Sequence, residues 1–185
     1  ANAVTKTYDA TFSASGTGTV GTLAGAGAGD VVNSAGTQAF LNANAGTNKE
    51  VRASGVTIKD ASNADMTANY TINYVDNTTS VINKAALTVK ANDDARFVGL
   101  ADNVNFAGVQ YAGLVGGETS SVLGGTLLVE RNDAGNGAAG VYTGALTPKG
   151  LASNNYEIAY TNGTLTIVPA DQLLISTTNQ SVTYG

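Results

Sequence analysis

Alternation of apolar and polar positions organises this chain. In Asn69-Tyr70-Thr71-Ile72-Asn73-Tyr74 the two tyrosines and the isoleucine take every second position, and Asn155-Tyr156-Glu157-Ile158-Ala159-Tyr160 repeats the pattern 86 residues later (69 to 155). A period of two predicts a half-buried strand in each copy, with Glu157 on the outward face of the second. Around each copy the other alternating runs recur in the same order. A lead motif, Lys6-Thr7-Tyr8-Asp9, is echoed at Arg96-Phe97-Val98-Gly99 and at Val182-Thr183-Tyr184-Gly185; closing runs lie around Ile82 and Ile167. Three lead motifs and two bodies predict two whole modules and the opening strand of a third, with boundaries at 1–86, 87–171 and 172–185.

Between lead motif and body, glycine and asparagine punctuate the runs. Gly25-Ala26-Gly27-Ala28-Gly29-Asp30 precedes Val31-Val32 and an alternating stretch through Phe40; Gly116-Gly117-Glu118-Thr119 precedes Val122-Leu123 and Thr126-Leu127-Leu128-Val129. Small residues before an acid can cradle phosphate, but no Lys-Ser/Thr ending or amphipathic helix follows, so the run reads as a glycine-rich turn. Asn44-Ala45-Gly46 and Gly137 to Gly140 each feed a further strand. Lys59 to Asp65 is an insertion confined to the first module, expected in a surface loop. Asn162-Gly163 between two alternating runs predicts a hairpin, less cleanly matched at Asp76-Asn77. The reading is all-β: two tandem, small, glycine-rich modules, each a sandwich or β-grasp-like sheet, set end to end on short joints.

Composition narrows the function classes. Charged residues are 12% of the chain and aromatics 6%, the formal net charge is −5, and the nine Lys and Arg are scattered singly. Clustered cations that displace counterions are missing, which argues against nucleic acid as a partner. No apolar run reaches the length of about 20 residues that spans a bilayer. Cysteine and histidine are absent, which removes disulfides, thiolate metal sites and Cys or His catalysis and suits a protein exported unfolded.

The remaining chemistry is carboxylate, hydroxyl and aromatic. Glu50, Glu118, Glu130 and Glu157 are separated in sequence, and each is explained as a solvated acid, so no catalytic residue is assigned and no enzyme is expected. No metal site or cofactor is assigned either. Asp93, Asp94 and Asp171, placed at the joints between modules, are the candidates for calcium, although they lack an EF-hand or Asp-rich array. Alternation assigns Tyr70, Tyr74, Tyr156 and Tyr160 to the core, which leaves Tyr111 and Tyr142 as exposed rings for stacking on a glycan.

The lead motif Lys6-Thr7-Tyr8-Asp9, the Gly29-Asp30 pair, Phe40 with Asn44-Ala45-Gly46, and Asn69-Tyr70 resemble the YDG-type repeats of large bacterial adhesins. Leu87-Thr88-Val89, Tyr111 to Val115, Gly140-Val141-Tyr142, Asn155-Tyr156 and Leu165 to Ala170 resemble the related MBG-type repeat. Departures are Phe97-Val98-Gly99 in place of a lead motif ending in Tyr-Gly, and Glu118 where Asp is common. The resemblance implies a secreted or surface-retained bacterial protein of the filamentous-haemagglutinin-like, two-partner-secreted kind, whose tandem copies form a non-catalytic stalk serving adhesion, aggregation or biofilm. Its expected partners are neighbouring repeats of the same chain, and exopolysaccharide or cell-surface glycans. The alternative is a carbohydrate-binding module that recognises exopolysaccharide directly.

Overall fold

A computed structural model describes residues 1–25, 27, 29–132 and 137–171. The expected third lead motif falls within 172–185, outside the described residues. The chain divides into two compact units: Ala1–Ala85 with Asn154–Tyr156, and Ala86–Ser153 with the chain from Glu157 onward. Fourteen strands are described: β1 (Thr5–Thr7), β2 (Ser13–Ala14), β3 (Val31–Ser34), β4 (Thr37–Phe40), β5 (Gly46–Ser54), β6 (Thr57–Lys59), β7 (Asn77–Asn83), β8 (Ala85–Ala91), β9 (Asp94–Phe97), β10 (Val109–Ala112), β11 (Gly124–Arg131), β12 (Gly140–Ala152), β13 (Tyr156–Thr161) and β14 (Gly163–Val168). The helical pieces among the described residues are 3-10 turns at Thr67–Asn69 and Ser120–Val122. The protein is all-β, as the alternation predicts.

One strand plan is used twice. The first unit's main sheet runs β1-β7-β5-β4-β2, and the second unit's runs β9-β14-β12-β11. In each, the lead strand pairs parallel with the closing strand of its own module: Lys6 opposite Ile82 on β1 and β7, Arg96 opposite Ile167 on β9 and β14. The next rung repeats as well. Tyr8 N–H donates to Asn83 O at 2.8 Å, and Val98 N–H donates to Val168 O at 2.9 Å. Val98 therefore fills the backbone place of Tyr8. A backbone rung is indifferent to side-chain identity, so the departure at Val98 leaves the pairing intact, although Val98 is exposed while Tyr8 is buried.

Burial follows the period of two. Along β8, Ala85, Leu87, Val89 and Ala91 are buried and alternate with exposed Ala86, Thr88 and Lys90; along β14, Gly163, Leu165 and Ile167 are buried. Leu146, Leu165, Ile167, Val129 and Ala145 from the four-stranded sheet share one core with Ala91 of the three-stranded sheet β10-β8-β13. Two sheets joined by an apolar core make the second unit a sandwich. Each fully buried Leu or Ile contributes about 1.5–3 kcal/mol. The first unit's core gathers Val4, Tyr8, Phe40, Val51, Ile58 and Ile82. It also holds Tyr156, whose ring meets Tyr8 edge-on at 5.5 Å and 82°.

Three local expectations are corrected. Residues 69–74 do not form a strand. Asp65 Oδ1 accepts Thr67 N–H at 2.8 Å, and Thr67 O accepts Tyr70 N–H at 3.2 Å, so local side-chain and turn bonds compete with a ladder. Burial of the four tyrosines is also uneven: Tyr156 is buried and Tyr70 half-buried, whereas Tyr74 and Tyr160 are exposed at 40% and 36%. Lastly, Asn162-Gly163 is not a hairpin, because β13 and β14 lie in different sheets. Gly163 is the corner at which the strand changes sheet. A Cβ there would lie 2.7 Å from the carbonyl oxygens of both Ala91 and Asn92, and only glycine permits that approach. Asp76-Asn77 is likewise no hairpin, because β7, which begins at Asn77, pairs with β1 and β5 and not with the strand that precedes it in the chain. The Lys59 to Asp65 insertion is a surface turn, organised by Asp60 Oδ1, which accepts Ser62 N–H at 2.8 Å and Ala64 N–H at 2.9 Å.

Candidate functional site

The lead motif of the first unit has a structural explanation. Tyr8 is buried, which turns Asp9 outward, and Asp9 Oδ1 accepts from Lys6 Nζ at 2.7 Å and from Thr11 N–H at 2.9 Å. Lys6 Nζ also lies 5.3 Å from the centre of the Phe40 ring, a cation–π contact. The Lys6 ammonium, helped by the Thr11 donors, holds the Asp9 carboxyl down at about 2. Gln38 ties down the chain on either side of this motif: it is buried, accepts Asn2 N–H at 2.9 Å and donates to Ser15 O at 2.8 Å. That last bond anchors the start of the glycine-rich segment.

Beyond Ser15 the described residues up to Asp30 form no strand, and part of this segment lines a cleft of about 650 Å³ in the first unit. Val20 to Gly25, Gly27 and Asp30 line it from this segment, Val56 and Ile58 from the start of β6, and Asn69 to Ile72 from the body motif. Two tyrosine hydroxyls hold these pieces together. Tyr70 Oη donates to Asp30 Oδ2 at 2.7 Å, while Tyr74 Oη accepts Val56 N–H at 3.1 Å. The hydrogen bond to the Asp30 carboxylate raises the Tyr70 pKa, because ionising the phenol would destroy it. The end of the glycine run is thus tied to the body motif at Asp30. Asp30 and Tyr70, 40 residues apart, meet across the cleft. The Gly29-Asp30 and Asn69-Tyr70 pairs are each visible in the sequence; neither spacing reveals that they touch.

The residues singled out from the sequence lie elsewhere. Asp93 Oδ1 accepts Thr164 N–H at 2.7 Å, Asp94 Oδ1 accepts Ala95 N–H at 2.8 Å, and Asp171 is exposed. Among the described residues no group of three or more His, Cys, Asp or Glu side chains could hold a metal ion. Tyr111 and Tyr142, expected to be exposed, are both half-buried. Tyr142 packs on the second unit's core, donates from its hydroxyl to Ala138 O at 2.8 Å and carries the Arg131 guanidinium 5.9 Å from its ring centre. One ring face is therefore covered by a cation. Two of the glutamates sit in ion pairs, Glu50 with Arg52 at 3.6 Å and Glu130 with Lys149 at 2.6 Å, and Glu157 is exposed.

A twice-used strand plan, with lead and closing strands paired in parallel, defines a tandem of all-β repeat modules. The tandem is of a particular kind: residues 1–81 match the YDG domain and residues 87–166 match the MBG domain of the YGX type, so the chain is a YDG–MBG pair. No curated protein and no solved structure matches the chain.

Proposed function

We propose that the chain is a non-catalytic extracellular spacer in a large bacterial adhesin, secreted or retained at the cell surface, which supports adhesion, cell aggregation or biofilm matrix. The observation that carries this reading is the repetition of one strand plan down to equivalent rungs, Tyr8 to Asn83 and Val98 to Val168. A module that closes its own lead strand onto its own last strand can be added in series, giving reach without new chemistry. Low charge and a Thr, Asn and Gly surface suit that role, and the natural partners are neighbouring repeats and matrix or cell-surface glycans. Small-angle scattering on the 185-residue chain tests it. A spacer gives a radius of gyration well above the ~16 Å of a compact globule of this length, and a value near ~16 Å would sink the reading.

A carbohydrate-binding role is the second reading. The cleft at Asp30 and Tyr70 is the observation that favours it.

A further inference from the structure

We infer that the cleft of the first unit is a binding site for a neutral, hydroxyl-rich saccharide, with Asp30 as the acceptor for sugar hydroxyls and Tyr70 as the ring that borders them. This deepens the carbohydrate-binding reading and rests on it, and it does not depend on the spacer role. Three features of the cleft converge on that chemistry.

Size comes first. About 650 Å³ accommodates several pyranose rings and falls within the usual range for small-molecule sites. The second feature is the carboxylate. Asp30 Oδ2 is held by the Tyr70 hydroxyl, which fixes the group's orientation and leaves Oδ1 to accept from a ligand. A carboxylate with no cation among the residues lining the cleft repels an anionic polymer and favours neutral hydroxyl donors.

The third feature is the backbone of the walls. Val20 to Leu23, Thr71 and Ile72 belong to no strand ladder. An added peptide strand presents its donors and acceptors at a fixed repeat and needs a strand edge to match it. Sugar hydroxyls, each both donor and acceptor, can serve groups that follow no such repeat. Val56 and Ile58, both buried, form an apolar floor beneath these walls.

The test uses the full 185-residue chain and a panel of neutral hexasaccharides built on glucose, galactose, mannose and N-acetylglucosamine, with polygalacturonate and an extended hexapeptide as controls. Binding is followed by titration calorimetry and by backbone amide shifts. The expected result is saturable binding of at least one neutral sugar, with shifts at Leu23 and Thr71. Asp30→Asn should weaken it about tenfold or more, as loss of a hydrogen bond to a charged acceptor requires, whereas Tyr142→Phe should leave it unchanged. Asp30→Asn could loosen the turn, so Gly21→Trp provides a second variant. Gly21 lines the cleft, and a Cβ there meets nothing within 4 Å, so the backbone has room for a side chain at this wall. The substitution should abolish binding with an unchanged melting temperature. Three results would each overturn the proposal: no binding of any neutral sugar, binding indifferent to Gly21→Trp, or preference for polygalacturonate or the peptide.

Discussion

Tyr156 belongs in sequence to the second repeat, yet it completes the first compact unit. Its side chain is 2% exposed and its ring meets Tyr8 edge-on. Next to it, Asn155 Oδ1 accepts Ala45 N–H at 2.9 Å, and Asn155 O accepts Ala85 N–H at 3.0 Å. Replacing Tyr156 by Ala removes roughly 100–150 Å² of buried surface, worth about 2.5–4 kcal/mol at ~25 cal/mol per Å². Loss of the aromatic pair adds about 0.5–1.5 kcal/mol. The sum, about 3–5 kcal/mol, matches the usual cost of an aromatic-to-alanine change in a core. It is a large share of the ~5–15 kcal/mol that holds a small domain together. Hydrogen exchange read amide by amide is the suitable assay, because it reports each unit separately. Protection of Val51 and Ile82 in the first unit should fall by about 10² to 10³-fold or more, at ~1.4 kcal/mol per factor of ten. Tyr156→Phe, which keeps the ring, should cost at most about 1.5 kcal/mol. If Tyr156→Ala leaves Val51 and Ile82 as protected as in the parent chain, the assignment of this ring to the first unit's core is wrong.

Two other perturbations test the structure. Gly163→Ala puts a methyl against two backbone oxygens that cannot move aside, so the second unit should lose about 1–3 kcal/mol in urea unfolding; an unchanged midpoint would refute the strand corner. Asp9 tests the lead motif. Its folded pKa lies below the ordinary 3.8, at about 2, so its contribution is fully present above pH ~4 and is lost as pH falls through ~2. Asp9 is 45% exposed, so the gain is small and screened by salt. The melting-temperature gap between the parent and Asp9→Asn should narrow between pH 5 and pH 2, and a gap that widens would contradict the ion pair.

Much of this architecture is legible from the residues alone. Period-two alternation marks β14 residue by residue, and the matched lead, body and closing runs disclose the doubled module; β8, by contrast, lies where the sequence suggests only a short joint. Ile82 and Ile167, singled out as centres of the closing runs, occupy equivalent rungs opposite Lys6 and Arg96. Legibility stops where one pattern serves two environments. Asn69 to Tyr74 and Asn155 to Tyr160 alternate alike, but Asp65 and the turn it nucleates draw the first copy out of any ladder, while the second forms β13. Asn-Gly at 162–163 has the letters of a hairpin, and only the carbonyls of Ala91 and Asn92 pressing on Gly163 reveal a corner.

The candidate site divides the same way. The sequence by itself determines an all-β tandem with glycine turns, because strand periodicity and turn chemistry are local properties of neighbouring residues. Which residues form a cleft is not local. Asp30 and Tyr70 are brought together by the fold, through a single hydroxyl. Half-burial of Tyr142 under Arg131 is another such outcome. Contacts between residues distant in sequence depend on how whole strands pair, and one strand alternation is compatible with many pairings. The tertiary structure alone selects among them, and in doing so it moves the best candidate site from Tyr111 and Tyr142 to the glycine-rich turn of the first unit.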